Sequence, residues 1–512
     1  MRALDLVIIA VFLVGMPLLG IWIAGRQRSG NDYFVGEGKI RWWVVCLSVV
    51  SAETSTLTVL SVPTVAYLGM FTYLQLAIGY IIGRIIVSFV LLPRYVAGNM
   101  TTAYNFLGKR FGAGMQGTAS VTFLFTRLLA DGVRLFATAI PIKLVLREYG
   151  VNAEYWQIVA LLGIAMVVYT FFGGVRAVVW VDAIQMLWYV VGAAAVIAVL
   201  SGKLPDGWLS SAIDAGKTQV LDFASAPLSN NYSFITAVIG GAVLSMASHG
   251  ADQLIVQRLM ACNDVKASQK ALIASGVVVF FQFALFLVIG TMLWAFYKGL
   301  DPIKELGLTT NDELFASFIV KELPSGLSGF VIAGILAAAL SSSLSALASS
   351  TVTDVYQKIV RRPLSDKEML KQGRIWTVVW AGALIVFASM FTTTKNPIVE
   401  TALAITGYTY GALLGAFLFG LLFKRARQLD AIIAFVVTVV VMAFVILGLK
   451  FEKKSGDLIG VDFAKATADS VALAFPWYTP LGVVVTLLVG GLLTLRHRTS
   501  GHHDTAEPVK AA

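Results

Sequence analysis

Long apolar runs separated by short polar segments dominate this 512-residue chain. A helix needs about 20 apolar residues to cross a bilayer, and these runs lack the two-residue alternation of membrane strands. They predict an all-α integral membrane protein with about thirteen transmembrane helices. The predicted spans are roughly 4–24, 43–68, 71–97, 117–147, 156–174, 178–200, 233–259, 268–298, 325–353, 374–392, 397–422, 428–449 and 475–495.

Two of these spans have polar centres that differ from lipid-facing helices. Span 2 holds Glu53 among serines and threonines, and span 7 holds glycines and serines followed by His249 and Asp252. In secondary transporters, interrupted helices at corresponding positions of two inverted repeats mark the binding site. The pattern predicts discontinuous helices 2 and 7 and a five-plus-five repeat, spans 2–6 (about 43–200) and 7–11 (about 233–422). A simpler interpretation is that these small residues only let helices pack closely.

Composition and charge support a membrane protein and indicate its orientation. Apolar residues make up 58% of the chain and charged residues 13%, against about 25% charged residues in soluble domains. With the N-terminus outside, the cytoplasmic segments carry a net charge of +13 and the outer segments −3, which fits the positive-inside rule. The total of +10 then reflects basic loops beside anionic lipid, and no nucleic-acid partner is needed.

We therefore expect a multi-pass protein of the plasma membrane with its C-terminus in the cytoplasm. Residues 1–495 are predicted to form one transporter domain, and residues 496–512 a polar cytoplasmic tail.

Six charged residues fall within the central parts of the predicted spans: Glu53, Arg84, Arg127, Asp131, Arg134 and Asp252. Burying an unpaired charge is costly, so Glu53 indicates either a functional site or a structural ion pair. Arg127 and Asp131 are four residues apart and can neutralise each other, which leaves Arg134 as the unpaired base. An arginine facing a cavity would suit a carboxylate substrate, although internal pairing is the simpler explanation.

Asp252 and Arg258, near the inner end of span 7, favour a structural salt bridge or snorkelling.

Span 9 carries a serine cluster formed by residues 341–343 and Ser345. Hydroxyl and carbonyl oxygens can replace the water shell of Na⁺, whereas Mg²⁺ and Ca²⁺ normally require carboxylates. The cluster predicts either a sodium site or a stripe of small residues for helix packing. Asp182, at the start of span 6, could cap that helix, bind a second cation or relay protons.

Motifs of other function classes are missing from the sequence. It has no nucleotide-binding loop, zinc motif, nucleophile elbow, pair of catalytic carboxylates or symmetric filter loop. We therefore expect neither an enzyme nor a channel, and no bound cofactor. Gly173 and Gly174 are predicted to end span 5 in a tight turn.

Several segments between about residues 40 and 430 resemble, in order, the sodium/solute symporter family of the sodium/galactose and sodium/proline symporters. The matching segments are Val50–Glu53, Tyr169–Gln185, Asp252–Arg258, the Ala/Ser run of span 9 and Gly415–Ala426. Each is weak alone, but their ordered combination is specific. The resemblance implies the leucine-transporter-type inverted-repeat fold and inward co-transport of a small solute with Na⁺ as the coupling ion.

The resemblance also implies positions for the coupling ions. The matching sodium ligands are the backbone carbonyls of Leu47, Val50 and Ala338 and the hydroxyls of Ser341 and Ser342. Asp182 and Ser345 look like ligands of the second sodium site that some members have, or they could form a proton site. The segment before Asp354 is a few residues shorter than in relatives, and alignment from that side would move the serine pair onto Ala338 and Ala339.

On the substrate side, Glu53 alone matches a sugar ligand of the galactose type, and Ser61–Tyr67 is similar to members that carry organic acids. With two arginines nearby, this favours an organic acid, a monocarboxylate or sialic acid, over a neutral sugar. The candidate substrate-binding residues are Glu53, Thr54, Thr56, Gln75, Arg127, Arg134, Ser245 and Ser248. We predict a Na⁺-coupled symporter that works by alternating access, as a monomer. The alternatives are a sodium/sugar symporter and a proton-coupled transporter of the same fold.

Overall fold

The computed structural model describes residues 3–25, 27, 29–36, 40–54, 56–98, 100–148, 150–340, 343–391, 398–463 and 469–499, and these are mostly helical. The helices are α1 (Ala3–Ala24), α2 (Gly30–Val35), α3 (Trp42–Glu53), α4 (Thr56–Leu68), α5 (Leu74–Val90), α6 (Leu92–Ala97), α7 (Tyr104–Phe111), α8 (Ala113–Glu148), α9 (Tyr155–Ser201), α10 (Trp208–Asp214), α11 (Phe234–Gly250), α12 (Gln253–Met260), α13 (Val265–Phe296), α14 (Glu313–Glu322), α15 (Leu327–Leu340), α16 (Leu344–Ser350), α17 (Gln357–Val360), α18 (Asp366–Ser389), α19 (Ile398–Gly407), α20 (Tyr410–Leu422), α21 (Gln428–Gly448) and α22 (Tyr478–Leu495). A π-helical turn, Thr351–Tyr356, joins α16 to α17.

Both spans with polar centres are broken helices. The helix axis bends by 59° between α3 and α4 and by 61° between α11 and α12. Within the described ranges, seven helices are long and apolar enough to cross a membrane, and nine if each bent pair counts as one span. α8 has 36 residues but carries Arg127, Asp131 and Arg134 at its centre.

The predicted turn at Gly173–Gly174 is a kink within the long helix α9. Gly174 adopts φ 56° and ψ −161°, and a Cβ there would lie 2.7 Å from the carbonyl oxygen of Tyr33. Glycine is needed on both counts, for the positive φ and for the close approach. Spans 5 and 6 therefore follow each other without an intervening loop.

The short helices α2, α7, α10 and α14 and a small antiparallel sheet lie outside the predicted spans. The sheet consists of β1 (Leu449–Glu452), β2 (Leu458–Val461) and β3 (Ser470–Ala472), in the order β2-β1-β3. It connects α21 to α22.

Glycine contacts bring the helices around the two breaks close together. A Cβ on Gly83 of α5 would collide with the carbonyl oxygen of Ala242 in α11, and one on Gly241 would lie 2.7 Å from that of Leu76. Gly290 of α13 meets the backbone of Pro63 in α4 in the same way. Small residues allow this approach of helix backbones within a membrane. The packed group encloses the candidate site.

Candidate functional site

A cavity of about 100 Å³ lies where the two broken helices are interrupted. Glu53, the last residue of α3, and Ser248 and His249, from the last turn of α11, meet at this cavity. The remaining polar lining residues are Thr58, Arg127, Arg134, Thr406 and Tyr410. Tyr73, Tyr80 and Phe283 form an aromatic side, with ring centroids 5.3 Å (Tyr73–Phe283) and 6.4 Å (Tyr80–Phe283) apart.

Glu53 is held by a buried ion pair with Arg84. The guanidinium of Arg84, on α5, is fully buried and donates to Glu53 Oε2 and, at 2.8 Å, to Ser275 Oγ on α13. The side chain of Glu53 keeps 16% of its surface exposed at the cavity. The pairing removes most of the cost of placing a carboxylate here, so a structural role and a solute contact are compatible at this residue.

His249 stands beside this ion pair. Its Nε2 lies 3.7 Å from Glu53 Oε2, and its Nδ1 lies 2.8 Å from Ser248 Oγ and 3.2 Å from the carbonyl oxygen of Ser245. The ring is buried, and Nε2 has no hydrogen-bond partner within the described part of the chain.

Arg127 pairs mainly with Asp252 and only weakly with Asp131. Its Nε and Nη2 donate to Asp252 Oδ2 at 3.0 and 2.5 Å, and Tyr410 donates to the same oxygen at 2.5 Å. The other oxygen, Oδ1, accepts from the amide of Leu254 at 2.8 Å and so caps α12. Asp131 lies 3.4 Å from Arg127 Nη1, at the edge of hydrogen-bond range. The predicted intrahelical pair is therefore secondary to a bond between distant segments.

Arg134 is not the unpaired base that the sequence predicted. Its Nη1 lies 3.7 Å from Asp131 Oδ1, since the helix places residues three apart on one face. The same nitrogen donates to the carbonyl oxygen of Ala52 at 3.2 Å. The ion pair is long, however, and 29% of the side chain is exposed at the cavity. Its guanidinium is therefore the most accessible cationic group among the described ion pairs of the cavity.

Four of the eight predicted substrate residues lie away from the cavity lining. Thr54 donates to Gln282 at 2.7 Å, and Ser245 donates to the Tyr80 carbonyl at 3.1 Å. Thr56 donates to the carbonyl oxygen of Ile335 and accepts from Thr138.

Gln75 does not line the cavity and instead bonds loop backbone. Its amide nitrogen donates to the Tyr232 carbonyl at 2.7 Å and its oxygen accepts from the amide of Asp222 at 3.1 Å. Gln75 thus holds the loop between α10 and α11.

The predicted first sodium site is described only in part. Leu47 lies at the middle of α3, Val50 lies in its last turn, and Ala338 lies in the last turn of α15. The Val50 carbonyl accepts from the amide of Thr54 at 2.8 Å, at the break. Ser341 and Ser342 lie outside the described residues.

Asp182 lies within α9, eight residues beyond Gly174, and does not cap a helix. Its Oδ2 accepts from Ser48 at 3.0 Å and from Arg258 Nε and Nη2 at 3.1 and 2.9 Å. The other oxygen, Oδ1, is buried and lacks a hydrogen-bond partner in the described residues. Ser345 accepts from Gln257 Nε2 at 3.3 Å. Asp252 and Arg258 thus each form a salt bridge, but with other partners, because they stand at opposite ends of α12.

Several cavity residues were missed by sequence reasoning. Thr58 belongs to the polar run of span 2, and His249 follows Ser248 directly, so neighbouring residues signalled both. Phe283, Thr406 and Tyr410 come from helices with no polar centre of their own. Only the three-dimensional packing brings them to the breaks.

The chain is similar to known membrane transporters. The sequence model of the sodium:solute symporter family matches residues 33–438. The sodium/sialic acid symporter NanT of Aliivibrio fischeri is 27% identical over 99% of this chain and 96% of its own length. The sodium-coupled monocarboxylate transporter 1 of Xenopus laevis is 28% identical over 84% of this chain and 69% of its own.

The fold also matches a solved structure. A Na⁺-coupled sialic acid symporter, solved substrate-bound in an outward-open state, superposes with a TM-score of 0.80 at 23% sequence identity. The match covers 97% of this chain and 98% of that one. At this level of identity the likeness concerns the fold.

Proposed function

This chain belongs to the sodium:solute symporter family, and on that premise we propose that it imports a small monocarboxylic acid together with Na⁺. Membership confirms the expectation of a sodium-coupled symporter and not an enzyme. Relatives named as sodium/sialic acid symporters and sodium-coupled monocarboxylate transporters support the organic-acid preference.

The observation that carries the substrate class is the exposed guanidinium of Arg134 at the cavity. A planar guanidinium can bind a carboxylate through two parallel hydrogen bonds. The pair with Asp131 at 3.7 Å is too long to occupy the guanidinium fully, and Arg134 Nη1 otherwise bonds a neutral carbonyl. An arriving carboxylate would therefore gain a charge-assisted bond that the resting site lacks.

Glu53 limits the charge of the solute. The fixed charges around the cavity form pairs, Glu53 with Arg84, Arg127 with Asp252, and Arg134 with Asp131. A second carboxylate on the solute would approach Glu53, whose positive partner is already engaged. Like charges at such distances repel strongly in a low-dielectric site, so a monoanion fits better than a dianion.

For the coupling ions we retain two sites. The first joins the backbone of Leu47, Val50 and Ala338 to the hydroxyls of Ser341 and Ser342. Its position near the end of α3 is supported by the break that follows Glu53. The Val50 carbonyl already accepts from the amide of Thr54, so it would bind the ion through its second lone pair.

The second sodium site comprises Asp182 and Ser345. It is supported by the buried Asp182 Oδ1, which lacks a hydrogen-bond partner in the described residues. Arg258 neutralises Asp182 through the other oxygen, so a cation at Oδ1 would share the carboxylate with Arg258.

We also propose the finer architecture: thirteen spans, the five-plus-five inverted repeat, one domain over residues 1–495, the tail 496–512 and a monomeric transporter. The N-terminus lies outside and the C-terminus in the cytoplasm. Contacts between loops that this topology places on the same side support it. Arg110 donates to the carbonyls of Gly420 and Phe423, at the proposed inner end of α20. Lys217 donates to the carbonyls of Tyr67 and Gly69, on the proposed outer side.

Uptake by the purified protein in proteoliposomes tests the function. Labelled lactate and N-acetylneuraminate are offered under an inward Na⁺ gradient, a K⁺ gradient or a proton gradient. We expect uptake of at least one acid with Na⁺ only. Uptake driven by protons without Na⁺ would contradict the proposal and favour the proton-coupled alternative, and uptake of neutral hexoses alone would favour the sugar symporter.

Two variants assign the residues. Arg134→Gln should raise the half-saturating concentration of the acid about tenfold or more, by loss of a charge-assisted hydrogen bond. Arg147→Gln, an exposed arginine on the same helix, is the matched control and should leave it unchanged. Ser342→Ala should raise the half-saturating Na⁺ concentration, and an unchanged value would remove Ser342 from the first sodium site.

A further inference from the structure

The hairpin of β1 and β2, which follows α21, presents an apolar strand to its surroundings. The side chains of Leu458, Ile459 and Val461, and that of Phe463 just beyond the strand, each expose more than half of their surface. Edge strands surrounded by water usually carry charged residues or proline, because a bare apolar edge pairs with other chains. β2 contains neither, so we expect its exposed side chains to be covered by something apolar.

The strand β2 is an edge of the sheet, and the loop before α11 holds the sheet from elsewhere. The strand order is β2-β1-β3, so β1 separates the two edges. Just beyond β3, the amide of Ala474 donates to the carbonyl of Leu228 at 2.8 Å, and Trp477 Nε1 donates to that of Pro227 at 2.8 Å. The contact with this loop therefore lies at the β3 end, and β2 is left as the other edge.

The exposed side chains of β2 continue the exposed face of α21. That face is formed by apolar residues three or four positions apart, which are Leu429, Ile433, Val436, Val440, Phe444 and Leu447. α21 has 21 residues and is about 30 Å long, the thickness of the hydrocarbon core, so this face contacts lipid. The rings of Phe463 and Phe444 have centroids 5.3 Å apart, and a Cβ built on Gly448 would lie 3.3 Å from Val461 Cγ1. The apolar surface therefore runs from α21 onto β2 without a gap.

The register of the hairpin fixes the depth of β2 relative to the bilayer. Val461 lies opposite Leu449, the first residue after α21, and Leu458 lies opposite Phe451. Two residues of a strand cover about 7 Å. The polar layer that flanks the hydrocarbon core on each side is about 5–8 Å thick. The whole of β2 is therefore within reach of this interfacial layer, even if the strand stands upright on the membrane.

We propose that β2 inserts its apolar side chains into the interfacial layer of the leaflet at which α21 ends, the outer leaflet in the proposed topology. The occupant of this surface is phospholipid, with its upper acyl chains against the side chains. An open strand edge is excluded from the hydrocarbon core but can keep its hydrogen bonds among headgroups and water, so the insertion is shallow. The sheet then anchors the loop before α11, the first half of the second broken helix, to the membrane. This inference goes beyond the proposed function and does not depend on the solute.

Lipids that quench fluorescence test this inference on the full-length protein. Ile459→Cys and Val461→Cys are labelled with an environment-sensitive fluorescent maleimide. Both positions are exposed, so the label displaces no buried side chain, and both native cysteines are buried. The proteins are reconstituted into phosphatidylcholine and phosphatidylglycerol vesicles whose lipids carry a doxyl quencher either near the headgroup or near the chain end. Lys454→Cys, exposed in the β1–β2 turn, is the matched control, and Val440→Cys marks the hydrocarbon core.

Insertion predicts a definite order of quenching. The quencher near the headgroup should reduce the fluorescence of both β2 labels at least about twofold more than that of the Lys454 label, because an interfacial element buries its apolar face about 5–10 Å deep. The chain-end quencher should act most strongly on the Val440 label and weakly on the β2 labels. Because all four positions carry the same label, an affinity of the label for lipid affects each of them alike.

Two other results would overturn the inference. If both β2 labels are quenched no more than the Lys454 label, the strand is exposed to water. If their emission indicates an apolar environment without quenching by lipid, and this emission is lost when the protein is diluted with excess lipid, β2 pairs with a second copy of the chain instead.

Discussion

The bond between Arg127 and Asp252 should be among the strongest single contributors to the stability of the candidate site. It joins α8 to the N-terminus of α12, across 125 positions of sequence. Replacing Asp252 by Asn keeps a side chain that can cap α12, since Asn is as good an N-cap as Asp. It removes the negative charge that faces the buried guanidinium. Of its charged partners Arg127 would then keep Asp131, at 3.4 Å, which it shares with Arg134; its bond to the Tyr410 hydroxyl, at 3.0 Å, is neutral.

The expected magnitude follows from burial. Arg127 exposes 6% of its side chain and Asp252 1%, so solvent screens this pair very little. Removing one partner of a buried ion pair costs about 3–5 kcal/mol, because the remaining charge is left uncompensated. Asp252→Asn should lower the free energy of unfolding by that amount. Asp252→Ala should lower it by about 1 kcal/mol more, because the cap of α12 is lost as well.

Unfolding in mixed micelles by titration with sodium dodecyl sulfate can measure these differences. Glu322→Gln is the matched control, because Glu322 also forms an ion pair, at 2.7 Å with Lys203, but both side chains are about one-third exposed. Exposed pairs contribute about 0–1 kcal/mol. The double variant of Arg127→Gln and Asp252→Asn should lose at least about 1 kcal/mol less than the sum of the single losses. A loss for Asp252→Asn no larger than that for Glu322→Gln would refute the reasoning.

Three further predictions concern packing, topology and ion number. Gly83→Ala should lower the free energy of unfolding by about 1–3 kcal/mol in the same titration, because the added Cβ meets the backbone of α11. Gly117→Ala should leave that free energy unchanged, because a Cβ there meets nothing within 4 Å. The exposed positions of the variants Lys454→Cys and Lys367→Cys should react with impermeant maleimide from outside and from inside respectively, and both native cysteines are buried. Labelling of both introduced cysteines from the same side would contradict the topology. If two Na⁺ accompany one monocarboxylate, each cycle moves one net positive charge inward, and a negative interior potential favours uptake by about 2.3 kcal/mol per 100 mV. Asp182→Asn should abolish this dependence on the membrane potential, and unchanged dependence in the variant would place the second ion elsewhere.

The fold was largely predictable because long apolar runs determine where helices lie. α1 and α13 begin and end within three residues of their predicted bounds, and the breaks in spans 2 and 7 fall among the polar residues that predicted them. α14 was missed because a ten-residue helix with charged ends does not resemble a span. The kink at Gly174 was taken for a turn because a glycine pair predicts a backbone change but not its direction.

The candidate site was less predictable, because its specificity depends on partners distant in sequence. Local spacing correctly put Arg127 and Asp131 within reach of each other, but the stronger partner, Asp252, comes from another broken helix. Spacing could not distinguish Thr54, which points to Gln282, from Thr58, which lines the cavity. Three-dimensional packing determines which partner Arg127 binds and which threonine lines the cavity. The spacing of residues within one helix contains no information about either.

The arrangement of the six charges in the central parts of the predicted spans bears on how the proposed solute and Na⁺ sites would be coupled. Each ion pair has one member that lines the cavity and one that does not: Glu53 with Arg84, Arg127 with Asp252, Arg134 with Asp131. The formal charge of the described ion pairs is therefore zero before the solute arrives. In the proposed function, a bound carboxylate would add one negative charge in a region of low dielectric, and a Na⁺ at the proposed first site would offset it. By linkage, each ligand then raises the affinity of the other by the same factor, so fixed charges that cancel favour the joint binding that symport requires.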